Sequence, residues 1–88
     1  MKVEIYDSVS FLDGTVVSFI VPKAREYSKA MFMYSVNNSK GYDITLFMLA
    51  EICRVNGQQK SLEYYAELFC DDYVKLLDVL GKLVTPIK

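Results

Sequence analysis

The periodicity of the apolar residues changes at Pro22, and this change constrains the fold more than any other feature of the sequence. Before it, apolar and polar side chains alternate, as around Phe19 and Val21, which predicts strands. Beyond it, apolar residues recur at helical spacing. Proline suits the junction because it cannot donate to a strand ladder and is tolerated at a helix start. The sequence therefore predicts an α+β fold, with a β-hairpin over residues 1–21 followed by three or four helices within 22–88.

Asp13-Gly14 marks the hairpin turn. A three-residue loop, Leu12-Asp13-Gly14, pairs Val9 with Val17 and Ile5 with Val21, which keeps the apolar side chains on one face. A two-residue loop would mix polar and apolar side chains on each face. We therefore expect the longer loop, with its glycine in the left-handed conformation of a bulged turn.

The helical half divides at residues that favour turns and caps. Asn37 to Gly41 predicts a loop, and Asp43 is suited to cap the next helix. That helix is apolar almost all round, which predicts burial. We expect helices from Ala24 to about Tyr34, from Ile44 to Val55 (ended by Asn56-Gly57), from Ser61 onward, and from about Asp72 to Val84 (ended by Thr85-Pro86).

The composition favours an exposed apolar surface. The 88 residues fit one domain, and 52% of them are hydrophobic and 14% aromatic, which is far from the composition of a disordered chain. So small a domain cannot hide that much apolar surface in one core. We therefore expect an apolar patch that binds a partner protein.

Charge and hydropathy argue against nucleic-acid and membrane partners. The formal net charge is −1, and the lysines are scattered singly, whereas nucleic-acid-binding proteins usually carry a basic stripe. The seven tyrosines could stack on bases, but packing in a core or an interface is the simpler interpretation without a basic groove. No apolar run reaches the roughly 18 residues that a membrane span requires.

The sequence lacks the groups that most enzymes and metal sites use. It has no histidine, so the commonest general base and metal ligand is missing. A structural zinc site needs about four Cys or His ligands, and the chain has two cysteines. Its glycines are isolated, so no phosphate-binding loop is present. We expect no catalytic activity, no cofactor and no metal.

Two features keep a chemical alternative open. The adjacent Asp71 and Asp72 could perform acid–base work, although helix capping and compensation of the helix dipole are the simpler interpretation. Cys70 could be an activated thiolate at a helix N-terminus, but no basic residue adjoins it. The simpler interpretation is that Cys53 and Cys70 are reduced core thiols of a cytoplasmic protein.

The order of these features resembles the phage tail assembly chaperone family. The matching stretches are Val9–Val21, Pro22–Tyr34, Ile44–Val55, and the run from Ser61-Leu62-Glu63 through Asp72-Tyr73-Val74-Lys75-Leu76-Leu77. They span most of the chain as patterns of apolar spacing. Many members carry a Thr and a later Asp where this chain has Lys23-Ala24-Arg25-Glu26-Tyr27.

The resemblance implies a non-structural chaperone, in the host cytoplasm, that coats the coiled-coil-prone tape measure protein before the tail tube assembles on it. An apolar groove would cover the apolar stripes of the tape measure helices reversibly, as in helix-in-groove recognition. Tail tube protein would then displace the chaperone. Family members often occur in a short form and a longer, frameshifted form. Whether this chain has a longer form, and whether it is a homo-oligomer, stays open.

The expected partner surface combines tyrosine and methionine side chains of the first helix with apolar side chains of the final one: Tyr27, Met31, Tyr34, Tyr73, Leu77 and Leu80. These residues could equally form the core. Two other functions remain as alternatives. One is a small regulatory or inhibitory adaptor that binds a folded protein; the other is a nucleic-acid binder, which the near-neutral charge disfavours.

Overall fold

The order of secondary-structure elements confirms the predicted α+β fold and adds one strand to it. The computed structural model describes residues 4–84. Its elements, in chain order, are β1 (Ile5–Ser10), β2 (Val16–Ile20), α1 (Ala24–Val36), α2 (Ile44–Ile52), β3 (Cys53–Val55), α3 (Leu62–Ala66) and α4 (Cys70–Val84). The predictions for residues 1–3 and for the helix stop at Thr85-Pro86 lie outside the described residues.

The hairpin turn has the predicted three-residue loop. Val9 pairs with Val17, and the Phe11 amide donates to the Thr15 carbonyl at 2.8 Å, which leaves residues 12–14 as the loop. Gly14 has a φ of 93°, a left-handed backbone conformation that glycine adopts more easily than any residue with a side chain. The Asp13 carboxylate accepts a hydrogen bond from the Thr15 amide at 2.9 Å, which fixes the turn and lowers the pKa of Asp13.

The predicted pairing of Ile5 with Val21 is wrong, because a β-bulge between Ile5 and Asp7 shifts the register. Ile5 instead pairs with Ile20. The extra residue, Tyr6, lies on β1 and reverses which β1 side chains face inward beyond the bulge, which leaves Ile5 exposed. On β2, Ile20 is buried and Val21 is exposed. Alternation alone gives no sign of an inserted residue, and the predicted register therefore fails at this end of the hairpin.

The predicted helix from Ile44 to Val55 ends early, and its last three residues form β3 instead. This strand pairs antiparallel with β2, which places β2 at the centre of a three-stranded sheet. Asn56 and Gly57 both have positive φ, at 50° and 86°, as a tight strand turn requires. The Asn56 side-chain oxygen accepts a hydrogen bond from the Val16 amide at 3.1 Å, and the Asn56 backbone amide donates to the Val16 carbonyl at 2.8 Å. Asn-Gly therefore ends a strand here, not a helix.

The predicted N-terminal cap and the buried character of α2 are confirmed. Asp43 accepts a hydrogen bond from the Thr45 amide at 3.3 Å at the start of α2. α2 contacts α1, α3 and α4, and so forms the centre of the helical layer. These neighbours cover the apolar side chains that α2 carries on all its sides. The core unites α2 with one face of the sheet and with α4; its buried residues are Phe11, Val17, Phe19, Ile20, Ala30, Leu46, Phe47, Met48, Leu49, Ile52, Cys53, Val55, Tyr65, Leu76, Val79 and Leu80.

Candidate protein-binding surface

α1 is a helix that buries very little of itself. Ala30 is its one fully buried residue, and Met33 packs partly against the core. Large apolar side chains of α1 remain exposed at Tyr27, Met31, Phe32, Tyr34 and Val36. A surface helix normally turns such side chains inward and keeps polar ones outside. The outer side of α1 is therefore the principal candidate for a partner surface.

Glu26 fixes the start of α1. Its carboxylate accepts a hydrogen bond from the Lys23 amide at 2.7 Å and from the Arg25 side chain at 2.8 Å. These bonds hold the pKa of Glu26 below its usual value, with the Lys23 amide as the largest cause. The Lys23–Tyr27 segment therefore contains the hydrogen bonds that fix the start of α1.

Three predicted partner residues lie together on α1. Tyr27, Met31 and Tyr34 are separated by four and three residues, so they share one face of the helix, which we call the aromatic stripe. All three are exposed. The Tyr34 ring also packs edge-to-face against Phe47 of α2, with ring centres 5.7 Å apart. The stripe is therefore accessible but anchored at one end.

The predicted partner residues on α4 occupy different environments. Leu80 is 2% exposed and belongs to the core. Tyr73 and Leu77 are half-buried and pack against the core. The Tyr73 hydroxyl lies 2.6 Å from Oγ1 of Thr45. α4 therefore uses these side chains mainly to hold the fold together, and Leu80 is excluded from the candidate surface.

The predicted partner residues on α1 and those on α4 do not form one surface. Tyr34 contacts Phe47, whereas Tyr73 contacts Thr45. Residues two positions apart on an α-helix point about 200° apart, so these contacts lie on nearly opposite sides of α2. The aromatic stripe on α1 stands alone as the predicted part of the candidate surface.

A second face of α1 was not predicted. Arg25, Lys29, Phe32 and Val36 follow i, i+4, i+7 and i+11 spacing, and we call this face the basic stripe. Phe32 is 62% exposed. The same spacing is visible in the sequence, but a mixture of cations and apolar side chains is typical of a solvated face and does not by itself indicate a binding surface.

A groove adjoins the basic stripe between α1, α2 and the segment before α3. Its volume is about 680 Å³, and Met33, Phe47 and Leu62 contribute apolar lining. Lys29 and Glu51 form an ion pair in its lining, with Nζ and Oε1 3.9 Å apart. The Lys29 side chain of this pair is largely exposed, and at this distance the pair contributes little to stability, so Lys29 can turn toward a partner.

The edge of β1 is a poorer candidate for partner binding. β1 is exposed along almost its whole length, and an open strand edge can pair with another chain. However, the Ser8 amide donates to its neighbour Asp7 at 2.8 Å. A carboxylate that occupies an edge amide in this way opposes the addition of a further strand.

The two cysteines differ. Cys53 is buried in the core, and burial raises the pKa of its thiol to about 12. Cys70 is exposed at the start of α4, so the prediction that both are core thiols is wrong for this residue. The run of apolar residues around Cys70 suggested burial, but the turn between α3 and α4 places Phe69 and Cys70 outside.

Within residues 4–84, no three His, Cys, Asp or Glu side chains come together as a metal ion would require. No helix in this part of the chain combines the length and apolar character needed to cross a bilayer. Comparisons of the chain with known protein families, with curated proteins and with solved structures find no match. The candidate function therefore rests on the surface of the molecule and on the resemblance of its sequence pattern.

Proposed function

We propose that this chain is a non-enzymatic, protein-binding domain that acts as a phage tail assembly chaperone and covers the apolar stripes of the tape measure protein. The observation that carries the proposal is the aromatic stripe of α1, with Tyr27, Met31 and Tyr34 exposed side by side on one helix. The specific partner comes from the family resemblance.

The residue types of the aromatic stripe suit a reversible contact with a helix. Tyrosine offers a large, stiff ring with one polar tip, and methionine adapts to different neighbours. Such a face can bind many similar apolar stripes along a long helical partner without demanding one sequence. Modest affinity at each site permits displacement when tail tube protein assembles.

Co-expression with fragments of the tape measure protein from the same genome tests the proposal. Wild-type chain should raise the soluble yield of these fragments, whereas the double variant Tyr27→Ser, Met31→Ser should not. Leu12→Ser is the matched control, because Leu12 is a fully exposed apolar residue in the hairpin loop, outside α1. An unchanged fragment yield with wild-type chain would overturn the proposal.

The stoichiometry of the purified complex distinguishes the alternative function. A chaperone should bind in many copies along one tape measure fragment, and added tail tube protein should release it. An adaptor should bind one folded protein in a fixed ratio and leave the tape measure fragments insoluble. Gene order gives an independent check, since a chaperone gene is expected between those of tail tube and tape measure.

A further inference from the structure

A small apolar cavity lies where α2 meets the turn between α3 and α4, and we call it the junction cavity. Its volume is about 190 Å³. Apolar cavities of about 150 Å³ accept a group of the size of benzene, so the junction cavity has room for one large aliphatic side chain. Its lining includes Leu46 of α2, Ala66 and Leu68 around the end of α3, and Cys70 and Tyr73 of α4.

An exposed aromatic ring adjoins the junction cavity. Phe69 lies in the sequence between Leu68 and Cys70, which both line the cavity. The Phe69 side chain is 83% exposed. A large ring that stays outside the fold next to an apolar cavity is typical of a surface that binds another protein.

Three carboxylates border the junction cavity along the chain. Glu67 comes shortly before Phe69, and Asp71 and Asp72 come shortly after it, each next in sequence to a residue that lines the cavity. Among the ion pairs of residues 4–84, none includes any of these carboxylates. The N-terminus of α4 offsets about half of one negative charge, so the border of the cavity keeps a net negative charge.

The cations that are nearest in sequence leave this negative border unpaired. Lys60 lies over the ring of Tyr64, with Nζ 5.9 Å from the ring centre. Lys75 lies one turn beyond Asp71 on α4, but no ion pair within the described part of the chain includes it. The carboxylates at the cavity are therefore accessible to cations of another molecule.

We propose that the junction cavity docks a basic segment of a partner protein. One large aliphatic side chain of this segment enters the cavity, and lysine or arginine side chains on both sides of it meet the carboxylates that lie on both sides of Phe69. The Phe69 ring packs against the cations and their aliphatic stems. The cavity thus supplies a central apolar anchor, and the opposite charges around it select the partner.

This docking site is separate from the surface of the proposed function. The aromatic stripe reaches α2 through the contact of Tyr34 with Phe47, whereas Tyr73 of the cavity lining contacts Thr45. These contacts lie on nearly opposite sides of α2. The two surfaces can therefore be tested independently of each other.

Titration with synthetic peptides, followed by NMR of the isotope-labelled protein, tests the docking. The probe is an alanine-based helix of about 16 residues with one leucine and with a lysine one turn away on each side, so that the three side chains share a face. The backbone amide signals of residues 66–73 should shift. Replacing the lysines of the peptide by glutamate, or its leucine by alanine, should weaken binding about tenfold or more.

Protein variants separate the docking from a general charge effect. Asp71→Asn should weaken binding of the peptide about threefold, and its combination with Glu67→Gln about tenfold at low ionic strength. Phe69→Ser should also weaken binding about tenfold. Asp78→Asn is the matched control, because Asp78 is an exposed carboxylate two turns further along α4, and it should bind like wild type. All the replaced side chains are exposed, so circular dichroism should show the variants folded.

Four results would overturn the docking. The lysine peptide could fail to bind at about 1 mM, or the glutamate or alanine peptide could bind as well as it does. The shifts could be confined to α1. Concentration-dependent shifts of residues 66–73 without peptide would mean that a second copy of the chain occupies the cavity. The variant Tyr27→Ser, Met31→Ser should bind the peptide like wild type, so failure of the docking is distinguishable from failure of the tape measure proposal.

Discussion

The hydroxyl of Tyr73 lies 2.6 Å from Oγ1 of Thr45, and the same Thr45 oxygen lies 2.6 Å from the Asp43 carboxylate. The carboxylate can only accept, so the Thr45 hydroxyl donates to Asp43 and the Tyr73 hydroxyl donates to Thr45. This chain of hydrogen bonds joins the N-terminal cap of α2 to α4. Tyr73 therefore has a structural role that its aromatic ring alone did not suggest.

Removing the Tyr73 hydroxyl should reduce stability. We expect Tyr73→Phe to lower the free energy of unfolding by about 0.5–1.5 kcal/mol, the usual net value of one such hydrogen bond. Urea denaturation measures the change. Tyr27→Phe is the matched control, since it removes a hydroxyl from an exposed ring and should leave the unfolding midpoint in place. Equal losses in the two variants would contradict the role of the Thr45–Tyr73 bond.

Truncation of Leu80 and of Met31 should separate the core from the candidate surface. Leu80→Ala removes a fully buried side chain and should lower the free energy of unfolding by about 2–5 kcal/mol. Met31→Ala removes an exposed side chain and should change it by less than about 0.5 kcal/mol, while it weakens partner binding. Chemical denaturation measures both. A large loss of stability in Met31→Ala would show that the aromatic stripe belongs to the core.

Tyr65→Phe should stabilise the protein or leave it unchanged. The Tyr65 hydroxyl is buried and has no hydrogen-bond partner within residues 4–84. Removing a buried, unsatisfied polar group relieves its desolvation penalty of about 1–3 kcal/mol, and the phenyl ring keeps the packing. Thermal unfolding should show an equal or higher midpoint. A marked loss of stability would indicate that the hydroxyl has a partner after all.

Alkaline pH should destabilise the fold. Burial raises the pKa of the Cys53 thiol from 9.0 to about 12, and burial also raises the pKa of Tyr65. The unfolded chain therefore releases these protons at a lower pH than the folded protein does. The contribution to the free energy of unfolding is complete below about pH 9 and falls as the pH rises further. Denaturation at a series of alkaline pH values should show this decline. In Tyr65→Phe the free energy of unfolding should fall less steeply with pH, because one of the two groups is missing.

The two thiols should react at different rates. The exposed Cys70 should react rapidly with Ellman's reagent in the native protein, whereas the buried Cys53 should react only as the chain unfolds. Native protein should therefore show one rapid thiol equivalent, and Cys70→Ser should show none. Rapid reaction of two thiols without denaturant would mean that the core opens around Cys53.

Most of the fold was predictable because its signals are local. The turn at Asp13-Gly14, the cap at Asp43 and the change of period at Pro22 depend on the backbone preferences of a few neighbouring residues. The register between Ile5 and Val21 failed because a bulge depends on the partner strand. β3 was missed because its three residues gain their hydrogen bonds from β2, far away in the sequence.

The candidate surface was predictable only in part, for a related reason. Spacing placed Tyr27, Met31 and Tyr34 on one helix face, but it gave no indication of whether the apolar face of α4 that carries Leu80 meets the core or a partner. The exposure of Phe32 and Phe69 was not predicted, because the exposure of a side chain depends on which other elements pack around it in the folded protein.

The sequence alone determined the strands β1 and β2 and the four helices, and it supplied more apolar side chains than a small core can hold. The tertiary structure decided which of these side chains remain outside. α2 is enclosed by neighbouring elements and takes the interior, whereas α1 packs against the protein through Ala30, Met33 and the ring of Tyr34 and leaves its other apolar side chains exposed. A side chain is buried only when other elements of the fold pack against it. The spacing of apolar residues along the sequence shows which side chains share a helix face, but not which element, if any, covers that face.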